Sequence, residues 1–237
     1  MSARLAAVPA ERMHLALMLA LTFATGVVDA VGYLGLDRVF TGNMTGNVVI
    51  LGMAVVGADD LPVLGPVLAL VGFMAGAALG GRVLRSASGP WSARTTLLFA
   101  GVAVVLLGLG VVVALAGSEP ARPLALASTG LLGAAMGTQA ATARYVAVKD
   151  VTTVVVTSTI TGLAADSVLG GGTGQGLRGS SGRRLLAVVL IIAGAAAGAL
   201  VLRWSLGAGI LLAGGVIALA TLVGALHVRA TRGPTER

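Results

Sequence analysis

The chain of 237 residues has no cysteine, two histidines, 3% aromatic residues and 11% charged residues. Each shortage removes a class of protein. Without cysteine there is no disulfide framework, no thiolate nucleophile and no zinc ribbon. His14 and His227 stand at opposite ends of the chain. No H-E-x-x-H motif or His/Asp/Glu cluster at metal-ligand spacing occurs, and no serine sits in a nucleophile elbow. No metal, no cofactor and no enzymatic activity are therefore expected. A soluble domain carries roughly 25% charged residues, so this composition leaves little room for one.

What is present is apolar. Hydrophobic residues make up 57% of the chain and the mean hydropathy is +0.98. Runs longer than about 18 apolar residues recur, each long enough to cross a bilayer. Ten-residue alternating strands separated by turns are missing, which argues against an outer-membrane barrel. The net charge of +7 sits at the ends of apolar segments instead of in one patch, so it reads as membrane topology and no nucleic-acid partner is expected. Arg4 and Arg12 precede the first apolar run as in a signal peptide. That run, however, continues to Leu36 without a small-residue cleavage site, so it reads as a retained helix. The expectation is an all-α polytopic membrane protein forming a single transmembrane domain over 1–237, with the lipid bilayer as its main partner. Thirty-six glycines suit close helix packing in lipid and are compatible with a homo-oligomer.

Eight apolar segments can be marked: 13–36, 40–57, 62–84, 95–117, 123–143, 151–169, 184–202 and 205–228. The second and sixth are short, rich in Thr, and interrupted by the pairs Thr45-Gly46 and Thr161-Gly162. Positive residues in short loops collect on the cytoplasmic side. If all eight segments cross, the Lys and Arg residues divide 9 to 7. If the second and sixth dip in and return, only Arg38, Arg122 and Arg203 lie outside, against 13 inside. The larger bias favours six membrane-crossing helices plus two broken, re-entrant segments, with both termini cytoplasmic.

The chain also repeats itself. GAALGGRVLR at 76–85 matches GAAAGALVLR at 194–203 in seven of ten positions. Gly26 and Ala30 match Gly137 and Ala141, and the two TG pairs match in the same order. Repeat 1 spans about 13–117 and repeat 2 about 123–229. Each holds three crossings, an odd number, so the second enters from the opposite side. Inverted-topology repeats of this kind mark many secondary transporters, whose sites lie at the repeat interface near discontinuous helices.

The polar residues inside this apolar chain are the candidate site. Asp29 stands at membrane depth, where a charge costs about 2.5–3.5 kcal/mol on insertion scales. It reads either as a proton or cation site or as a structural hydrogen-bonding group. The stretch Val39–Asn47 reads as extended chain turning into a short helix near Asn47, with Thr45 or Asn47 as its cap. Asn43, Thr45 and Asn47 either line a site or satisfy this broken backbone. The run from 151 to 161 holds only Val, Thr, Ser and Ile, which predicts an extended strand. A short helix through Asp166 would follow. Thr157, Thr159, Thr161 and Asp166 form the second half of the candidate site, and the two broken segments are expected to meet. Gln139 reads as an inter-helix hydrogen bond or a site residue, and Arg144, Lys149 and Asp150 as a cytoplasmic anchor or part of the site. His14, His227, Trp91 and Trp204 are expected at the membrane interface. The glycine-rich loop 170–184 lacks the Lys-Ser/Thr pair of a phosphate-binding loop and reads as a linker.

Taken together, Gly26-x-x-Asp29-Ala30, Tyr33, Val39-Phe40-x-x-Asn43-Met44-Thr45-Gly46-Asn47, Met136-Gly137-x-Gln139-x-Ala141-x-x-Arg144 and Thr157-x-Thr159-x-Thr161-Gly162 resemble the YoaK-like family of bacterial membrane proteins. The resemblance covers nearly the whole chain. It implies a multi-pass protein of the cytoplasmic membrane and carries no known activity or site residues with it. From the residues, the expected function is a small secondary transporter or permease for a small polar or anionic solute, with proton coupling through Asp29 or Asp166. The alternative is a non-transporting assembly, scaffold or lipid-binding protein.

Overall fold

The computed structural model describes residues 5–117, 120–148, 156–166 and 180–231. Among them are eight α-helices and no strand. They are α1 Ala10–Gly35, α2 Met44–Val55, α3 Leu64–Leu84, α4 Ala93–Leu115, α5 Arg122–Val146, α6 Val156–Ala165, α7 Ser180–Leu202 and α8 Leu206–Thr231. Five of these, α1, α3, α4, α7 and α8, are long and apolar enough to cross a bilayer. α2 and α6 have 12 and 10 residues. At 1.5 Å per residue they are roughly 18 and 15 Å long, well short of the roughly 30 Å hydrocarbon core.

α5 has 25 residues but is less apolar than the five. It carries Ser128, Thr129, Thr138, Gln139 and Thr142, all of them buried. Each hydroxyl among them donates to the carbonyl four residues back, and Thr138 also reaches Gly76 O on α3 at 3.1 Å. The surroundings of α5 are other helices, so polar groups there find partners that lipid could not supply.

Glycine decides how the helices meet. A Cβ built on Gly76 of α3 would lie 1.9 Å from Ala134 O of α5, and one on Gly137 would lie 2.0 Å from Phe73 O. The same arrangement joins α1 to α7. A Cβ on Gly194 would lie 2.1 Å from Phe23 O, and one on Gly26 would lie 2.3 Å from Ile191 O. Along the seams Gly72 meets Gly130, Gly76 meets Ala134 and Gly80 meets Thr138, while Gly194 meets Phe23 and Gly198 meets Val27; the contact positions rise together, so α3 runs parallel to α5 and α1 parallel to α7. α4 and α8 run antiparallel: Gly207 meets Ala114, Gly214 meets Leu107 and Gly224 meets Trp91, which precedes α4. α1 and α8 are antiparallel too, since Leu206 packs on Gly35 while His227 reaches Leu5. The apolar core forms where α1, α4, α5 and α8 meet, around Val27, Val31, Leu106, Leu132, Ile210 and Ile217.

Local signals explain several helix ends. Ser92 and Thr95 form a reciprocal capping box at the start of α4, which satisfies two otherwise orphaned N–H groups. Pro123 stands in the first turn of α5, where a missing N–H costs nothing.

Two expectations are corrected. Residues 156–161, expected as strand, form the first part of α6; residues 151–155 lie outside the described residues. β-Branched side chains lower helix propensity only slightly, and a threonine hydroxyl can bond back into the helix, as Thr161 Oγ1 does to Thr157 O at 2.9 Å. Likewise α2 begins at Met44, three residues before Asn47.

Candidate functional site

The break after α1 is built by turns and then anchored to α1 itself. Asp37 and Arg38 both take φ of 59°, which sends the chain back along the helix it has just left. The backbone N–H groups of Thr41, Gly42 and Asn43 then donate in succession to Asp29 Oδ1, at 3.1, 2.7 and 3.2 Å. Successive N–H groups of this kind form a concavity for an anion; here the anion site is filled by the chain's own carboxylate. Gly42 makes a close approach here, since a Cβ would stand 3.1 Å from Thr25 Cγ2 and 3.3 Å from Asp29 Oδ1. Asp29 is half-buried. Its second oxygen, Oδ2, makes no hydrogen bond to any described residue.

The rest of the motif is explained by the same loop. Asn47 is fully buried; its Oδ1 accepts from Phe40 N at 2.9 Å and its Nδ2 donates to Phe40 O. The side-chain amide thus pairs with both the N–H and the C=O of Phe40, as a neighbouring strand would. The Phe40 ring stacks on Tyr33 at 4.8 Å and covers Gly46, where a Cβ would lie 2.6 Å from the ring. Asn43 is the cap of α2, accepting from Gly46 N at 3.4 Å. This corrects the expectation that Thr45 or Asn47 caps the helix: Thr45 is exposed on its first turn.

Behind this loop Gln139 of α5 is 1% exposed. Its Nε2 donates to Thr25 Oγ1 at 3.1 Å, and its Oε1 is buried without a partner. Thr25 is one turn of α1 before Asp29, and Met136, one turn of α5 before Gln139, touches Gly42. Asp29, Thr25, Gln139 and the 41–43 backbone are thus one neighbourhood.

The other predicted residues lie elsewhere. Arg144 is exposed in the last turn of α5, where a cation complements the negative helix end. Thr157 and Thr161 are exposed on α6, and Thr159 is buried. Asp166 pairs with Arg184 of α7, whose guanidinium covers Gly162. Lys149 and Asp150 lie outside the described residues. α2 packs on α3 and α6 on α7, and the two short helices do not touch each other. Arg183, next to Arg184, reaches Glu11 at the start of α1, at 3.6 Å. Asp29 stands 18 residues further along α1, about 27 Å at the helical rise. The expected meeting of the two TG elements is therefore corrected: each short helix folds onto the long helix that follows it.

Sequence reasoning missed one cluster. His227 is 2% exposed with Nδ1 2.9 Å from Leu5 O, and His14 stacks on Trp91 at 5.7 Å. Trp91 is itself buried and packs on Gly224, one turn before His227. His227 and Trp91 are thus packed inside the protein, while Trp204 is 78% exposed. No short-range signal links residues so far apart. The one trace was Gly224, small enough to admit an indole. No group of three His, Asp or Glu that could hold a metal ion occurs among the described residues.

Long apolar helices pressed together through glycine, with a broken polar segment anchored to a half-buried carboxylate, define an integral multi-pass membrane protein. The chain belongs to the family described as Protein of unknown function (DUF1275), whose model matches residues 17–223. It is also similar to the UPF0700 transmembrane protein YoaK of Bacillus subtilis (strain 168), with 30% identity over 147 residues. That match covers 62% of this chain and 64% of the relative, just under two thirds of the relative's length. The family read from the motifs is thus the family found. No solved structure matches.

Proposed function

We propose that the protein is a small secondary transporter of the bacterial cytoplasmic membrane, moving a small polar solute with Asp29 as its proton- or cation-coupling group. The observation that carries this reading is the state of Asp29. One oxygen holds the break through three N–H groups while the other stays open, and the buried Gln139 Oε1 nearby has no donor. Two unsatisfied acceptors at membrane depth suit a proton or a small cation, and an intramembrane carboxylate is a functional candidate by default.

The same reading takes six crossings, α5 being the sixth, with α2 and α6 re-entrant, both termini cytoplasmic, and two inverted repeats. Helix directions support it. Eight crossings would make α4 and α8 parallel, whereas six make them antiparallel, as their contacts run. The packing also exchanges under the repeat. Gly76 meets Ala134 O as Gly194 meets Phe23 O, and Gly137 meets Phe73 O as Gly26 meets Ile191 O. In each case the paired residues are related by the offsets that align the repeats. Such exchange is the geometry of inverted-repeat transporters.

A non-transporting assembly or scaffold role has one observation in its favour: Asn43, Asn47 and the 41–43 backbone are all engaged in holding the break. The test is Asp29→Asn in a solute-exchange assay with reconstituted protein. The amide oxygen still accepts the N–H groups, so insertion and thermal stability should persist while coupled flux is lost. Normal flux in the variant would remove the coupling role, and absence of flux in the unaltered protein across a solute panel would favour the scaffold reading.

A further inference from the structure

At the end of the bundle where α1 stops and α3 and α5 start, there is a cleft of about 370 Å³. That volume falls within the range of small-molecule sites. Its walls include Asp37 after α1, Leu64 and Gly65 in the first turn of α3, and Arg122 and Thr129 of α5. Arg122 and Asp37 are exposed, and neither has an ion-pair partner among the described residues. The cleft therefore presents two opposite charges, one just after α1 and one at the start of α5. Thr129 is 2% exposed and its hydroxyl donates to Ala125 O at 3.0 Å, which leaves an acceptor lone pair on the wall. The positive side is reinforced by the backbone. α3 and α5 run parallel, neither has a side-chain cap, and their partial positive ends open beside Arg122.

We propose that this cleft binds a small zwitterion of amino-acid size, its carboxylate on the Arg122 side and its ammonium toward Asp37. Each simpler solute meets an opposing group. A phosphate or dicarboxylate faces Asp37, a plain cation faces Arg122 and two helix N-termini, and a neutral sugar leaves both charges without a partner. The inference goes beyond the transport reading and does not depend on whether the solute crosses the membrane.

The test uses the purified full chain in lipid nanodiscs, where both faces are accessible, and reads thermal unfolding with free L-amino acids added singly. A ligand that binds only the folded state raises the unfolding temperature. At least one free L-amino acid should stabilise the protein, while its N-acetyl derivative, its methyl ester and inorganic phosphate do not. Arg122→Gln and Asp37→Asn should each weaken that binding at least tenfold without moving the unliganded transition, since both side chains are exposed; Arg122→Lys should restore part of it. The proposal is overturned if no amino acid stabilises the chain, if phosphate or one of the derivatives stabilises it equally, or if binding survives both substitutions. A stabilising zwitterion that shows no flux leaves the cleft standing and counts only against transport.

Discussion

The two TG elements carry similar residues and are held in opposite ways. The first is tied into the body of the protein through Asp29, three backbone N–H groups and the amide of fully buried Asn47. The second is tied at its end by Asp166 to Arg184, a pair whose acidic side chain is 57% exposed. The bonds from Thr41 and Gly42 to Asp29 are partly buried, so water replaces them poorly when the carboxylate is lost. Water readily replaces an exposed ion pair, and its contribution is small. The lesson is that a shared motif does not imply a shared role. The first element is a built structural joint with an open carboxylate oxygen, and the second is a short helix resting on α7.

Four substitutions rank this contrast. Asp29→Ala strips the acceptor from three N–H groups and should destabilise by roughly 3 kcal/mol or more. Limited proteolysis between 36 and 44 would reveal the released loop as new cleavage. Asn47→Ala leaves the N–H and carbonyl of Phe40 unpaired and should cost about 2 kcal/mol, read as a lower midpoint in detergent unfolding. Gly46→Ala pushes a methyl group into the Phe40 ring and should cost about 1–2 kcal/mol. Phe40→Leu in the same chain should recover part of that loss, a coupling that a double-mutant cycle measures. Asp166→Asn should change stability by less than about 1 kcal/mol, with an effect that shrinks as salt is added. If Asp166→Asn proved as damaging as Asp29→Ala, the contrast between the elements would collapse.

Much of this was legible from residues and some was not, for identifiable reasons. The run GAALGGRVLR and its partner GAAAGALVLR hold Gly76 and Gly194, the glycines that admit a neighbour's carbonyl in both parallel seams. Their spacing was visible because close packing needs small residues at fixed intervals. The break after Leu36 was visible because turn-forming and hydrogen-bonding residues interrupt an apolar run. The cap was misassigned because Asn43, Thr45 and Asn47 are all good capping residues, and only the position of Phe40 selects among them. α6 was misread because β-branched content tracks a pleated surface as readily as a short helix on a helical wall. The burial of His227 and Trp91 was invisible because it joins the two ends of the chain.

The amino-acid sequence by itself determined that this chain lives in a membrane, that it is helical, that it is broken near residues 36–47, and which family it belongs to. Each of these follows from composition or short-range spacing, because lipid forbids unsatisfied backbone and small residues mark close approach. Only the tertiary structure decided which acceptor holds the broken loop. Only it set Gln139 against Thr25, kept α2 and α6 apart, and left Arg122 and Asp37 facing one cleft. Those outcomes depend on which helices lie side by side and in which direction. That is settled by contacts between residues far apart in the chain, where local propensity has no say.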